Sequence, residues 1–384
     1  MYSNEFQFFL PTQIIFGVGT LSKIGEETTR LGKKALLVTA AGTMRTLGYT
    51  AQVEKILEEH GIPYKVFEEV ESNPSTATVE LGVKLAREQG CDLIIGLGGG
   101  SAIDAAKAIA SSAGLGIPIL DLMREGMSKK GLPCIAVPTT AGTGAEVTHI
   151  SVLTIKESKR KDGLRSPYNF PSVAIVDPSL TLGLPSYITA YTGIDALTHA
   201  VEAYTARAAN PVSDLYARKA IILIKQYLRR AVFYGNDLEA RKGMALASNL
   251  AGIAIAHAGT GAAHGIGMTV GGICNAEHGV VVGLALPTVI RFNLGTNLEK
   301  YKDVAELLGE ETHGLSLRRA AMLAAEAVEA LLADLNLPRR LGDIGVTEDL
   351  IPELMADTKT QRVWLNNSRL ATDEEKEKLF RALL

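Results

Sequence analysis

The chain has 384 residues, more than a single hydrophobic core ordinarily serves, so two domains are expected. Hydrophobic residues make up 47% and charged residues 21%, the balance of a soluble globular protein rather than a disordered or fibrous one. With a net charge of −3 and no basic stripe, a nucleic-acid partner is excluded.

The chain opens on MYSNEFQFFLPTQIIFG, which lacks the basic start and long apolar run of a secretory signal. KALLVTA (34–40) reads as a strand and TAQVEKILEEHG (50–61) as a helix. PYKVFEEV (63–70) and TATVELGVKLAREQG (76–90) repeat the alternation, and CDLIIGLGG (91–99) is a strand that is apolar throughout. SAIDAAKAIASSAG follows as a helix and PCIAVPTT (133–140) as the next strand. Apolar strands separated by helices imply a parallel sheet buried on both faces.

The stretch IIGLGGGSAIDAAKAIA (94–110) places Gly98, Gly99 and Gly100 between that apolar strand and a helix opening on Ser101. Glycines admit a ligand close to the backbone, and a helix N-terminus offers free N–H groups and partial positive charge, which together suit a phosphate or pyrophosphate. A tight strand-to-helix turn with no ligand is the competing reading. The run is not a full GxGxxG, because Ser101 takes the place of the third glycine. The acid expected about 20 residues on for the ribose has only a nominal match in Asp121, beyond another strand–helix unit. A second loop, VPTTAGTGAEVT (137–148), gathers Thr139, Thr140, Thr143 and Thr148 around two glycines. Such hydroxyls can bond phosphate, ribose or an adenine edge, although a Thr-rich turn alone is commonplace. Two such loops at the ends of neighbouring strands point to a ligand at the carboxyl edge of the sheet.

Near SVAIVDPSLTLGLPSYITA (172–190) the character changes, and beyond it the chain is rich in Ala, Leu and Glu at helical spacing. The boundary is placed at about 184, giving an α/β domain over 1–184 and an all-helical domain over 185–384. No stretch reaches the roughly 18 uninterrupted apolar residues that a membrane span requires. Cys91, Cys134 and Cys274 form no CxxC pair, which fits a reducing cytoplasm better than a disulfide framework. A cytoplasmic protein without a membrane partner is expected.

YTGIDALTHAVEAYTARAAN (191–210) reads as a helix and sets Asp195 and His199 four apart, so both project from one face. An i,i+4 ion pair competes there with a shared metal. The seven histidines are His60, His149, His199, His257, His264, His278 and His313. HAGTGAAHGIGMTVGGICNAEHGVVVG (257–283) adds His264 and His278 in a glycine-rich context that disfavours helix. For one buried histidine a satisfied core imidazole is the plain reading. Together with Asp195 and His199, these two bring a metal site level with it.

At this point the residues resemble a family. GGGSAIDAAKAIA, PTTAGTGAEVT, DALTHAVEAYTA and His264…His278 followed by Gly279 resemble, in family order, the iron-containing (group III) alcohol dehydrogenases. The resemblance runs from FGVGTLSKIG to NNSRLATDEEKEKLF, essentially the whole chain. It implies the dehydroquinate synthase-like, iron-dependent alcohol dehydrogenase fold, with a nicotinamide cofactor on the α/β domain and a divalent metal in the helical one. Asp195, His199, His264 and His278 would be the ligands of Fe2+, a nitrogen and oxygen set that also suits Zn2+, Ni or Co. Gly98 to Ser101 would be the pyrophosphate loop, with Asp104 in the same motif. Thr139, Thr140 and Thr148 would contact adenine and ribose, with Thr143 in the same loop. Lys161 would lie beside the nicotinamide ribose, and Asn73 is a looser match. The implied reaction is reversible hydride transfer between a small alcohol and nicotinamide C4, the metal holding the oxygen, in a homodimer or higher homo-oligomer.

Three positions depart from the family pattern. Met268 stands where many members carry a further histidine, His257 replaces the usual Asn, and Ile255 a frequent Phe. The alternatives are a maleylacetate-reductase-like or glycerol-dehydrogenase-like enzyme and a non-catalytic metal- or nucleotide-binding protein, and the complete ligand set argues against both. Many NAD-using members have Asp where KALLVT ends. Here Ala40, Ala41, Gly42, Thr43 and Arg45 follow, leaving no negative charge against a 2′-phosphate, so NADP(H) is expected over NAD(H).

Overall fold

The computed structural model describes residues 5–158 and 160–384. They fall into two compact units, one α/β (10–140 with 144–183) and one helical (184–384). Two short pieces from the first half of the chain, the segment through Phe9 and Ala141–Thr143, group with the helices.

In the α/β unit the strands are β1 (Gln13–Phe16), β2 (Ala35–Ala40), β3 (Tyr64–Val70), β4 (Leu93–Gly98), β5 (Cys134–Pro138), β6 (Ile150–Ile155), β7 (Arg160–Arg165) and β8 (Val173–Val176). The helices are α1 (Ile24–Leu31), α2 (Thr43–Thr46), α3 (Tyr49–Glu59), α4 (Thr76–Glu88), α5 (Gly100–Leu115) and α6 (Ile119–Glu125). Six strands form one parallel sheet in the order β1-β8-β5-β4-β2-β3. Alternation along each strand sends side chains to opposite faces. Leu36, Val38 and Ile94 pack on Val79, Val83 and Ile109 of α4 and α5. Leu37, Ile95 and Val137 face Ile24, Val53 and Leu57 of α1 and α3. Both faces are therefore covered, which is why the central strands are apolar throughout.

The chain leaves β2 toward β3 on one side and leaves β4 toward β5 on the other. Adjacent strands with diverging connections open a crevice at their carboxyl ends, the place where α/β sheets bind ligands. Ala40 ends one of these strands and Gly98 the other. The remaining strands, β6 and β7, form an antiparallel hairpin that the sequence reading did not contain.

The helical unit comprises α7 (Ser186–Thr205), α8 (Pro211–Phe233), α9 (Leu238–Ala258), α10 (Ala262–Ile273), α11 (His278–Asn293), α12 (Leu298–Leu308), α13 (Leu317–Asp334), α14 (Ile351–Thr358) and α15 (Asp373–Leu383). Helix starts carry the expected signals: Asn210 and Ser213 make a capping box around Pro211, and Asp237 caps α9 through Ala240 N. The glycine-rich stretch after His257 corrects the sequence expectation, because residues 262–273 are helical. Its glycines serve packing rather than loop formation. A Cβ at Gly267 would lie 2.4 Å from Val282 and 3.1 Å from the His278 ring, so only glycine lets α10 and α11 approach this closely. The stretch His278–Thr296 is apolar enough to cross a membrane by length and composition, and most of it is buried in the core of the unit.

Candidate metal centre and cofactor site

The helical period places Asp195 and His199 on one face of α7, and both are buried. His264 comes from the first turn of α10, and His278 is the first residue of α11. The three imidazoles converge on one oxygen. His199 Nε2, His264 Nε2 and His278 Nε2 lie 3.8, 3.7 and 3.9 Å from Asp195 Oδ1. Donors about 2.1 Å from a common tetrahedral ion are held about 3.4 Å apart, close to this spacing. Asp195 Oδ1 and His264 Nε2 are buried without a hydrogen-bond partner. An orphaned carboxylate oxygen beside an orphaned imidazole nitrogen is costly unless something completes them, and a divalent cation fits that donor set. Asp195, His199 and His264 are also close enough together for each to offer one atom to a single ion.

Glu202 was not singled out from the sequence, although it lies two turns beyond Asp195 on the same helix. Its carboxylate accepts from His264 Nδ1 at 2.6 Å, from Ala263 N at 2.6 Å and from Gly261 N at 2.9 Å. A carboxylate has no proton to give, so Nδ1 carries a hydrogen and Nε2 is the nitrogen turned toward Asp195. His199 Nδ1 likewise faces Gly142 O at 3.4 Å.

These contacts fix the charges of the group. Burial pushes the Asp195 carboxyl up, but His199 first, with His264 and His278, holds it well below the usual carboxylate range. Burial takes the His199 imidazole down to about 4 against the pull of Asp195. His264 is opposed by burial too, yet Glu202 and Asp195 raise it to about 9.

In the α/β unit, Gly98 closes β4 with φ of 148°, in the region that favours glycine, and a Cβ there would lie 2.8 Å from Ala102. Gly99 precedes α5 without a side-chain cap, so the first N–H groups of a helix of 16 residues stay available around Gly100 and Ser101. Thr139 N donates to Gly98 O at 2.9 Å, and Thr140 lies against Gly99. The glycine and threonine loops are thus adjacent. Thr143 falls in the short piece that groups with the helices.

Asn73 and Lys161 are brought together, with Lys161 Nζ donating to Asn73 Oδ1 at 2.7 Å. Asp104 points inward, accepting from Val152 N at 3.0 Å and pairing with Lys107 at 2.9 Å. Arg45 lies near the end of β2, but Glu68 at 2.9 Å and Glu54 at 3.3 Å hold its guanidinium. Met268 is buried on α10. His257 stacks on Phe8 at 3.9 Å, with Nδ1 at 2.7 Å from Ile253 O and Nε2 at 3.2 Å from Phe9 N.

Comparisons with known proteins show which family the chain resembles over its length. The family model for iron-containing alcohol dehydrogenase matches residues 11–178, and the one for the C-terminal part of the Fe-containing alcohol dehydrogenase family matches 189–384. The chain is 42% identical to 1,3-propanediol dehydrogenase of Citrobacter freundii, covering 99% of both chains. It is 38% identical to the NAD-dependent methanol dehydrogenase of Bacillus methanolicus, over 96% of this chain and 97% of that one. A crystal structure of 1,3-propanediol oxidoreductase superposes with a TM-score of 0.96 at 40% identity, covering 99% of this chain and all of the other.

Proposed function

Because the chain belongs to the iron-containing alcohol dehydrogenase family, we propose that it is a metal-dependent alcohol dehydrogenase and aldehyde reductase. It would move hydride reversibly between a small alcohol and C4 of a nicotinamide cofactor. The observation that carries this reading is the convergence of three Nε2 atoms on Asp195 Oδ1, with two of those four atoms buried and unpartnered.

Asp195, His199, His264 and His278 would hold the ion, Fe2+ in the first instance, with Zn2+ the main competitor on affinity. When bound, it supplies a Lewis acid for the oxygen of the alcohol or aldehyde. Glu202 keeps His264 turned toward the ion. The loop from Gly98 to Ser101, leading into α5, takes the pyrophosphate, while Thr139, Thr140 and Thr148 serve adenine and ribose, with Thr143 in the same loop. Lys161, steadied by Asn73, lies at the nicotinamide ribose. Asp104 acts from behind this loop, through Lys107 and Val152. A Met268 thioether cannot carry a proton at neutral pH, and His257 is engaged by Ile253 and Phe9. The proton would therefore leave through water or another side chain.

NADP(H) over NAD(H) is our reading of the cofactor. With Arg45 held by Glu68 and Glu54, it rests on the missing carboxylate at Ala40 alone. A kcat/KM ratio favouring NADPH over NADH in the unmutated protein is expected, and Ala40→Asp should reverse it; a wild-type preference for NADH sinks this point. We also place the enzyme in the cytoplasm as a homodimer or larger homo-oligomer.

The decisive test combines metal analysis of anaerobically purified protein with NAD(P)H oxidation against short aldehydes, with and without a chelator. Activity that follows metal content supports the proposal. Full turnover after complete removal of metal overturns it.

A further inference from the structure

Lys107 is among the largest fully buried side chains described, with 1% of its surface exposed. Its ammonium lies 2.9 Å from Asp104 Oδ1, 3.0 Å from Ala145 O, and 3.4 and 3.3 Å from the carbonyl and hydroxyl of Thr148. It also donates to Ile150 O. Asp104, one turn back on α5, accepts from Val152 N. The two side chains therefore fasten the whole segment from Ala145 to Val152 to one face of α5. A buried ion pair is seldom worth more to stability than an apolar pair of the same size. Charge at this place is better explained by what it positions.

We infer that Lys107, oriented by Asp104, is a positioning residue for the nicotinamide cofactor, locking the Thr148 loop in register with the helix that receives the pyrophosphate. The inference rests on the proposed cofactor role of that loop. It also sets the surroundings of the Thr148 hydroxyl, which lies 3.3 Å from the ammonium and 3.4 Å from Ala145 O, so what this side chain offers the cofactor depends on Lys107 staying in place.

The test is a double-mutant cycle on the metal-loaded enzyme, with Kd for NADPH and NADH read from nicotinamide fluorescence. Lys107→Met and Thr148→Ala should each raise Kd about tenfold. The double variant should be no weaker than Lys107→Met alone within about twofold, because a loop already adrift has no further contact to lose. Metal content should stay within about twofold of wild type. If Lys107→Met does not fold, Asp104→Asn takes its place, since it keeps an acceptor for Val152 N; a rise in Kd with the same non-additivity is expected. Losses that add in full overturn the inference and leave the reading of the loop standing. No loss in Thr148→Ala overturns both.

Discussion

At the metal centre four side chains from three helices reach toward one point, whereas at the glycine loop almost nothing projects. There the working groups are main-chain N–H donors at the start of α5, and Gly98 matters for the side chain it lacks. The first region is built by placing costly polar atoms in a buried setting and leaving two of them unpartnered. The second is built by clearing space and leaving a helix end uncapped. The consequence is different fragility: one site fails when a donor is lost, the other when an atom is added.

The contrast can be broken most sharply at His278, the most exposed of the four proposed ligands. His278→Ala should abolish stoichiometric metal and lower kcat on the order of 10³-fold or more, several kcal/mol of lost charge stabilisation. NADPH affinity should stay within about twofold, because the loop uses none of these atoms. Metal analysis and cofactor titration on the same sample check both halves, and undiminished metal would remove His278 from the ligand set.

Glu202→Gln is the next largest. It cannot accept at every contact that the carboxylate now serves, so metal affinity should fall by about 10- to 100-fold in chelator competition. Trp364, the single tryptophan, packs against Gly265 beside His264 and gives a fluorescence signal independent of activity. Unchanged affinity would reduce Glu202 to a cap for α10.

Gly98→Ala probes the other region. Its Cβ would meet Ala102 at 2.8 Å in a positive-φ conformation, a strain of about 1–3 kcal/mol. NADPH binding should weaken about tenfold with metal content intact. Normal binding would place the pyrophosphate elsewhere.

The smallest effect is a proton. His264 in the metal-free site has its pKa raised to about 9, above the ordinary histidine value, so it is charged at pH 7 and its stabilising contribution is lost as pH rises through about 9. Metal uptake must displace that proton from Nε2. His199, lowered to about 4, is already neutral and releases none. Zn2+ titration in weakly buffered solution at pH 7 should release about one proton per ion, falling toward none above pH 10. Release of two would mean that a second imidazole, or a water on the ion, also gives up a proton.

The sequence was legible where physics acts along the chain. β2, β4 and β5 are apolar runs because both sheet faces are covered, and their helices follow from the change of period. β7, with the sequence RKDGLR, carries no such signal, because antiparallel pairing to β6 makes it a strand, Lys161 opposite Thr154. α10 was hidden by its glycines, whose reason is the nearness of α11. For the ligands, spacing alone left a core reading level with a metal one, and the family motifs tipped the balance. Glu202 shares the face of Asp195, so a signal existed, but its partners on α10 are about 60 residues away and no local pattern reveals them. Nothing next to Arg45 in the sequence announces the two carboxylates that hold it, Glu54 and Glu68, which only the fold brings there.

The segment through Phe9 has a consequence for how the chain comes into being. It groups with the helices, and 248 positions separate Phe9 from the His257 that it meets. On a ribosome adding about 5–20 residues per second, Phe9 emerges roughly 12 to 50 seconds before its partner exists. The whole α/β unit is synthesised in that interval and can close without that residue. Phe8 and Phe9 thus wait for α9, and until it arrives the Phe8 ring lacks the imidazole on which it stacks.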